Sequence, residues 1–241
     1  MSLINSLLPI QLAQGQYSGY TTLFKFGSNS GVTSAEETIW DQGGLYGYLT
    51  TAATLKVSSS AAGDNNTNVV IEGLDTNYQV VTETIALAGQ TPVDTANEYI
   101  RIYRAYVTDG DVINGDIYVG TGTFTSGVPA NKYAKIIAGQ NQTLMAIYTV
   151  PAGHKLYVTS MMVSSGTETA NRYIDMRLVK REFGTNAFRT QVKQTISDQT
   201  VDIPFGAAVV FTEKTDIEVR ANSSSSTQDV SAHFIGVLVK D

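Results

Sequence analysis

The sequence predicts an all-β protein made of two β-sandwich or jelly-roll-like domains behind an extended N-terminal arm. Short stretches of branched and aromatic residues recur between Gly-, Ser- and Asn-rich turns, at the spacing typical of β folds. Thr215–Ala221 alternates apolar residues such as Ile217 and Val219 with charged ones, the pattern of a half-buried strand. Charged residues make up only 16% of the chain, which suits strands with uncharged polar outer faces. A chain of 241 residues is long enough for two small cores.

Residues 1–35 are predicted to form the arm, because Pro9 and the Gln- and Gly-rich stretch 11–19 interrupt every periodic pattern. Several aliphatic side chains near its start have no obvious internal partner. Two interpretations remain: the arm packs on the protein's own body, or it docks onto a neighbouring subunit. The candidate partner-binding residues of the arm are Leu3, Ile4, Leu7, Leu8 and Ile10.

The first β-sandwich domain is predicted over residues 36–127. Its clearest strand, Tyr78–Leu87, carries branched or aromatic residues on both alternating sides, which predicts a strand covered at least in part on both faces. The Gly- and Pro-containing segment Gly127–Asn131 lies between two strand-rich regions and is predicted to be the domain boundary.

The second domain is predicted over residues 128–241, with about eight strands in roughly 110 residues, a density typical of a β-sandwich or jelly roll. Its main predicted strands are Thr143–Val150, His154–Ser164, Tyr173–Phe183, Phe188–Ile196, Val201–Phe211, Thr215–Ala221 and Val230–Val239. The two halves show no convincing repeat, so a duplicated domain is not predicted.

Composition argues against nucleic acid and membrane as partners. The net charge is -6, whereas nucleic-acid binders usually carry a basic stripe that neutralises phosphates. The dense basic cluster of Arg177, Lys180 and Arg181 is interleaved with acidic residues and is interpreted as a solvated strand face. No stretch approaches the roughly 20 apolar residues that cross a bilayer, and the N-terminus lacks the features of a signal peptide. We expect synthesis in the cytoplasm.

The sequence predicts no catalytic residue, cofactor or metal site, so we expect a protein that is not an enzyme. There are no cysteines, and His154 and His233 have no His or Asp at ligand spacing. The acidic run Asp109–Asp116 begins like a calcium loop but has Ile113 at the third ligand position, which favours a tight turn. Gly120–Thr123 lacks the lysine and the helix of a phosphate loop.

Trp40 is the sole tryptophan and the sixth candidate partner-binding residue. Its neighbours are mostly polar, so two interpretations stay open. It anchors a core or an interface, as single tryptophans more often do, or its ring stacks on a sugar.

An ordered series of segments resembles virion structural proteins of tailed phages that infect cyanobacteria and other aquatic bacteria. The segments are Val32–Asp41, Tyr46–Ser58, Ile71–Asp75, Val81–Ile85, Arg101–Val107, Gly115–Thr123, Gly127–Asn131 and Gln142–Gly153. The resemblance covers somewhat over half the chain and weakens after about Tyr173. It implies a non-enzymatic virion protein, made in the host cytoplasm and present in many copies. Within that class it points to a capsid cement or decoration protein on the capsid exterior, whose partners are the major capsid protein and itself, as a homotrimer.

Two other functions are weighed against the cement protein. A tail, baseplate or fibre component with a host-glycan-binding role would show exposed aromatic residues in a groove. A polysaccharide lyase or hydrolase would need paired carboxylates facing each other in a cleft, and no spacing in the sequence indicates them.

Overall fold

The computed structural model describes residues 3–65, 67–108, 113–166, 172–197, 199–225 and 227–241, with the backbone alone for 3–7. The elements are α1 (Leu3–Ala13), β1 (Tyr20–Val32), β2 (Glu37–Thr38), β3 (Ala53–Ser59), β4 (Asn68–Leu74), β5 (Val80–Ala86), β6 (Val93–Tyr99), β7 (Arg101–Val107), β8 (Ile117–Thr125), β9 (Val128–Ile136), β10 (Ile147–Thr149), β11 (His154–Gly166), β12 (Ile174–Arg181), β13 (Arg189–Ile196), β14 (Thr200–Phe211), β15 (Asp216–Ser223) and β16 (Gln228–Lys240). The predicted all-β class is confirmed.

The larger sandwich is a jelly roll. One sheet has the order β1-β16-β11-β14, and the other has the order β10-β15-β12-β13, with β2 also paired to β15. The short strands β2 and β10 pair with successive stretches of β15 and therefore act as one interrupted strand. Counted in this way, the described strands form two four-stranded sheets of orders 1-8-3-6 and 2-7-4-5. This is the double Greek-key arrangement of a jelly roll.

The jelly-roll core comes from the inward residues of both sheets, because alternate side chains of a strand point to opposite faces. Large side chains with no exposed surface come from β11, β12, β14 and β16, among them Leu156, Met176, Phe211 and Phe234. Burial of one such side chain stabilises the fold by about 1.5–3 kcal/mol.

The smaller sandwich is inserted into the jelly roll between β2 and β10. Its two sheets have the orders β6-β3-β8-β9 and β5-β4-β7, and they enclose a separate core that includes Leu55, Ile71, Tyr99 and Ile117. The chain leaves and re-enters the jelly roll side by side, because Trp40 pairs with Met145 and Ala146 N donates to Ile39 O over 2.9 Å. The two domains are therefore nested rather than consecutive.

The predicted boundary at Gly127–Asn131 is wrong, and with it the assignment of 36–127 and 128–241 to consecutive domains. Thr125 pairs with Val128, so Ser126 and Gly127 form the tight turn of a β8–β9 hairpin inside the inserted sandwich. Both turn residues have positive φ, and a Cβ at Gly127 would lie 1.8 Å from Ser59 O. A Gly- and Pro-rich segment indicates a turn, but it does not show whether the turn joins two strands or two domains.

The expectation of an extended arm over 1–35 is wrong in form, although the interpretation that this segment packs on the protein's own body is confirmed for β1. Residues 3–13 form α1, and β1 pairs with β16 from Tyr20 to Val32 as an outer strand of the jelly roll. Its inward positions include Lys25 and Gly27, which hid the apolar alternation of a core strand. Gly27 is needed because a Cβ there would lie 2.3 Å from Ala146 N.

The two sandwiches meet at a seam that contains buried polar groups. Arg101 of the inserted sandwich binds Asp216 of the jelly roll, and Asp216 also accepts a hydrogen bond from Thr149 Oγ1 over 2.6 Å. Lys25 Nζ donates to Tyr103 O on the inserted sandwich. Tyr46 OH donates to Tyr133 O over 3.0 Å. These contacts fix the inserted sandwich against the jelly roll.

Candidate partner-binding surface

The outer face of the β1-β16-β11-β14 sheet carries several exposed apolar side chains among polar ones such as Thr22 and Ser231. A sheet that covers a core with one face normally shows polar side chains on the other. Here the exposed fractions are 54% for Phe24, 45% for Tyr20, 44% for Val210 and 38% for Ile235. Together with Tyr157, we call these five residues the outer sheet face.

Strand register places these side chains in neighbouring rows of the sheet. Phe24 lies directly opposite Ile235, and Tyr20 lies opposite Val239. Tyr157 has Val237 as its partner on one side and Val210 on the other. Because opposite residues of antiparallel strands point to the same face, the row of Tyr157 is apolar across β16, β11 and β14 and ends at Thr22 on β1. Phe24 and Ile235 form an apolar pair in the adjacent row.

Helix α1 extends the apolar surface at one end of the sheet. An open groove of about 390 Å³ lies between α1 and the sheet. It is lined by Leu8, Leu12, Tyr17, Tyr20, Tyr157, Val237 and Val239. Leu8 is 44% exposed and Ile10 is 53% exposed, so the helix covers only part of the sheet and adds exposed side chains of its own.

His233 belongs to the same region of the sheet. Its ring centroid is 4.9 Å from that of Phe24, which also contacts Phe26 at 5.6 Å. Burial lowers the pKa of His233 below its usual value, with the charge of Asp202 opposing the shift. The shift favours the neutral imidazole, which adds no charge to this surface.

The structure brings some of the predicted site residues to this surface. Leu8 and Ile10 lie on α1 beside the sheet and are exposed. The side chains of Leu3, Ile4 and Leu7 lie outside the described part of the chain.

Trp40 lies elsewhere, at the seam between the sandwiches. Its side chain is only 3% exposed and forms a small core with Tyr46, Met145 and Ile147. Its Nε1 donates to Gly44 O over 3.2 Å. The ring is a core anchor and is not accessible for stacking on a sugar. The polar residues next to Trp40 suggested a sugar site, but Asp41 is used inside the protein, because its carboxylate accepts a hydrogen bond from Leu144 N over 2.6 Å.

The outer sheet face was missed in the sequence, although a signal was present. In β16, both alternating sets are apolar: Phe234 and Leu238 point inward, while Ile235 and Val237 point outward. A strand with two apolar faces predicts cover on both sides. The two apolar sides of β16 therefore indicate this surface in the sequence.

The structure offers no alternative site with metal chemistry among the residues it describes, since no three His, Cys, Asp or Glu side chains are grouped there. Residues 109–112 of the acidic run lie outside the described ranges. In its described part, Asp116 is bound to Lys135 Nζ at 3.0 Å and to Ala138 N at 3.0 Å. Within the described ranges, no helix is long and apolar enough to cross a membrane.

Comparisons with known proteins do not identify a family for this chain. No protein-family model matches the chain, and no curated protein is similar to it. The chain is similar to the crystal structure of the infectious bursal disease virus VP2 subviral particle, with 10% identity and a TM-score of 0.27, over 92% of this chain and 72% of that one. The structure of the Gx strain of the same virus gives 10% identity and a TM-score of 0.28, over 92% and 73%. Scores this low carry no argument about function.

Proposed function

We propose that this protein is a structural component of a tailed-phage particle that acts by binding and not by catalysis. In this proposal it lies on the capsid exterior, binds the major capsid protein, and clamps shell subunits together as a cement or decoration protein. The observation that carries the proposal is the outer sheet face with α1 beside it. The resemblance of the sequence to phage virion proteins supports the kind of particle.

The size of the surface suits a specific interface. The whole sheet face, with four strands of about ten residues, measures roughly 650 Å² and includes polar positions such as Thr22 and Ser231 beside the apolar ones. A standard interface buries about 800 Å² on each partner. Monomeric proteins rarely expose a continuous apolar patch much above a few hundred Å², because water contact is unfavourable by about 25 cal/mol per Å². A partner that covers this sheet removes the unfavourable contact between its apolar side chains and water.

Self-association is part of the proposal. Closed cyclic symmetry is the rule for soluble homo-oligomers, and the resemblance to cement proteins favours a homotrimer. The net charge of -6 gives no basis for nucleic-acid binding. Jelly rolls serve in viral capsid domains, lectins and cupins, so the fold is compatible with the proposal but does not decide it.

The decisive experiment is to locate and count the protein on purified particles by cryo-electron microscopy. We expect many copies at repeating positions that bridge shell subunits, with the outer sheet face or α1 in contact. A handful of copies at the tail would overturn the cement proposal. It would favour the second candidate, a tail, baseplate or fibre component with a glycan-binding role.

One observation favours that second candidate. Phe183 is 60% exposed beside Tyr78 in a cleft at the seam between the two sandwiches. This meets the expectation of exposed aromatic residues in a groove, although not at Trp40.

A further inference from the structure

A cleft of about 310 Å³ opens at the seam, and its walls come from both sandwiches. The inserted sandwich contributes Tyr48, Tyr78 and Arg101. The jelly roll contributes Arg181, Phe183 and Lys214. The volume lies at the lower end of the range of small-molecule sites, roughly 300–1,000 Å³.

The floor of the cleft carries an excess of positive charge. Asp216 is the shared partner of two guanidinium groups, Arg101 at 2.7 Å and Arg181 at 2.5 Å. One carboxylate therefore balances only one of the two cations. Arg181 uses Nε and Nη2 for this contact, and its Nη1 makes no hydrogen bond to any described residue.

Lys214 adds a third cation, which has no carboxylate partner within the described residues. Its Nζ lies 5.0 Å from the ring centroid of Phe183 and 5.8 Å from that of Tyr78. The other carboxylate of the lining, Glu182, is already bound to Lys180 at 2.8 Å. The cleft is thus electropositive in a protein whose net charge is negative.

The backbone holds two of these residues in an unusual conformation. Lys214 has φ of 59° and Tyr78 has φ of 60°, a region that costs of order 1 kcal/mol or more for residues other than glycine. Hydrogen bonds maintain them there, from Lys214 N to Val150 O and from Tyr78 N to Asp75 O. The ammonium and the aromatic ring are therefore presented by fixed backbone.

The same cleft provides a flat apolar surface and uncharged polar groups. Phe183 and Tyr78 meet edge to face at 5.6 Å, and most of the Phe183 ring remains exposed. Thr50 and Asn186 line the cleft and are exposed. Their side chains make no hydrogen bond within the described part of the chain, so a ligand hydroxyl can pair with them without displacing an internal contact.

We propose that this cleft binds an acidic sugar, namely a pyranose that carries a carboxylate, such as a uronic acid unit of a surface glycan. The carboxylate pairs with Lys214 Nζ and Arg181 Nη1, the apolar side of the ring packs on Phe183, and hydroxyl groups pair with Asn186 and Thr50. A neutral sugar would leave the cations unpaired. A small inorganic anion would make no packing contact with the aromatic rings of Phe183 and Tyr78.

The site is tested by titrating the full chain with sodium D-glucuronate, and separately with D-glucose and sodium acetate, at constant ionic strength. Two-dimensional NMR gives both the affinity and the location. We expect saturable shifts at Tyr78, Phe183 and Lys214, and binding to glucose or acetate that is weaker by about tenfold or more. Acetate binding as strong as glucuronate, shifts confined to other regions, or the absence of saturation would each overturn the proposal.

Two variants distinguish binding at the cleft from effects of overall charge or stability. Lys214→Met removes the charge but keeps a long side chain at the same φ, and Phe183→Leu removes the ring at an exposed position. We expect each to weaken glucuronate binding by about tenfold, with an unchanged thermal unfolding midpoint. The matched control is Lys240→Met, an exposed lysine on β16 whose loss should leave affinity unchanged. Wild-type affinity in Lys214→Met, or an equal loss in Lys240→Met, would contradict the assignment.

Discussion

Arg101 and Asp216 form a two-pronged ion pair across the seam, although they lie 115 residues apart in the sequence. The Nε–Oδ1 distance is 2.7 Å and the Nη2–Oδ2 distance is 3.0 Å. The two side chains are only 8% and 3% exposed. The pair links β7 of the inserted sandwich to β15 of the jelly roll, so the position of one domain depends on a carboxylate of the other.

Replacing this carboxylate should strongly destabilise the protein. Asp216→Asn leaves the buried guanidinium of Arg101 and the partly buried one of Arg181 without their charge partner, and we expect a loss of about 3–5 kcal/mol in the free energy of unfolding. Urea denaturation measures the change. The matched control is Asp94→Asn, which breaks the exposed Lys56–Asp94 pair and should cost under about 1 kcal/mol. Equal losses in the two variants would contradict the structural role of the seam pair.

The buried Lys25 should make stability depend on pH. Burial lowers its pKa from 10.5 to about 7, with Arg104 lowering it further and Glu72 opposing the shift. Between pH 7 and 9 the unfolded chain therefore binds a proton that the folded chain lacks. Stability should rise with pH in this window, by up to about 1.4 kcal/mol per pH unit.

Lys25→Met should remove that rise. The measurement is the urea unfolding free energy of both proteins at pH 7, 8 and 9. Lys56→Met, at an exposed lysine, is the control and should keep the wild-type slope. A slope that persists in Lys25→Met would assign the dependence to another group.

The outer sheet face should be needed for binding to the particle and not for folding. Phe24→Ser with Ile235→Thr removes two exposed apolar side chains that lie opposite each other. We expect binding to particles stripped of this protein to fall about tenfold or more, with little change in the unfolding midpoint. Cosedimentation measures binding. Val80→Thr, at a 56% exposed valine of the inserted sandwich, is the control; if it reduces binding equally, the outer sheet face is not the specific interface.

Two glycines with similar backbone angles should respond very differently to alanine. Gly127 has φ of 78° and a Cβ there would meet Ser59 O at 1.8 Å, whereas Gly153 has φ of 71° and open space around it. We expect Gly153→Ala to cost about 1 kcal/mol, from backbone conformation alone. Gly127→Ala should cost more, because the β8–β9 turn must move away from β3. Urea denaturation of both variants checks this, and equal costs would contradict the close packing of the turn.

How far the sequence predicts this fold depends on what each strand buries. Thr215–Ala221 was recognised because its inward residues, such as Ile217 and Val219, are apolar. β1 was not recognised, because one of its inward residues is a lysine, Lys25, whose pKa burial lowers to about 7, and another is Gly27, which a close backbone approach requires. The nesting of the domains could not be predicted from the sequence, since β2 and β10 are too short to show alternation and pair with a strand far along the chain. The cleft was missed because Lys214 and Tyr78 are far apart in sequence and meet only at the seam.

The pairing of β1 with β16 also has a consequence for how the protein is made. The ribosome releases Tyr20 long before it adds Val239, so β1 must wait for nearly the whole chain before it finds its partner. The inserted sandwich has all its strands early and can fold while synthesis continues. Because β1 and β16 carry much of the outer sheet face, that face is complete only after β16 has been synthesised and has paired with β1.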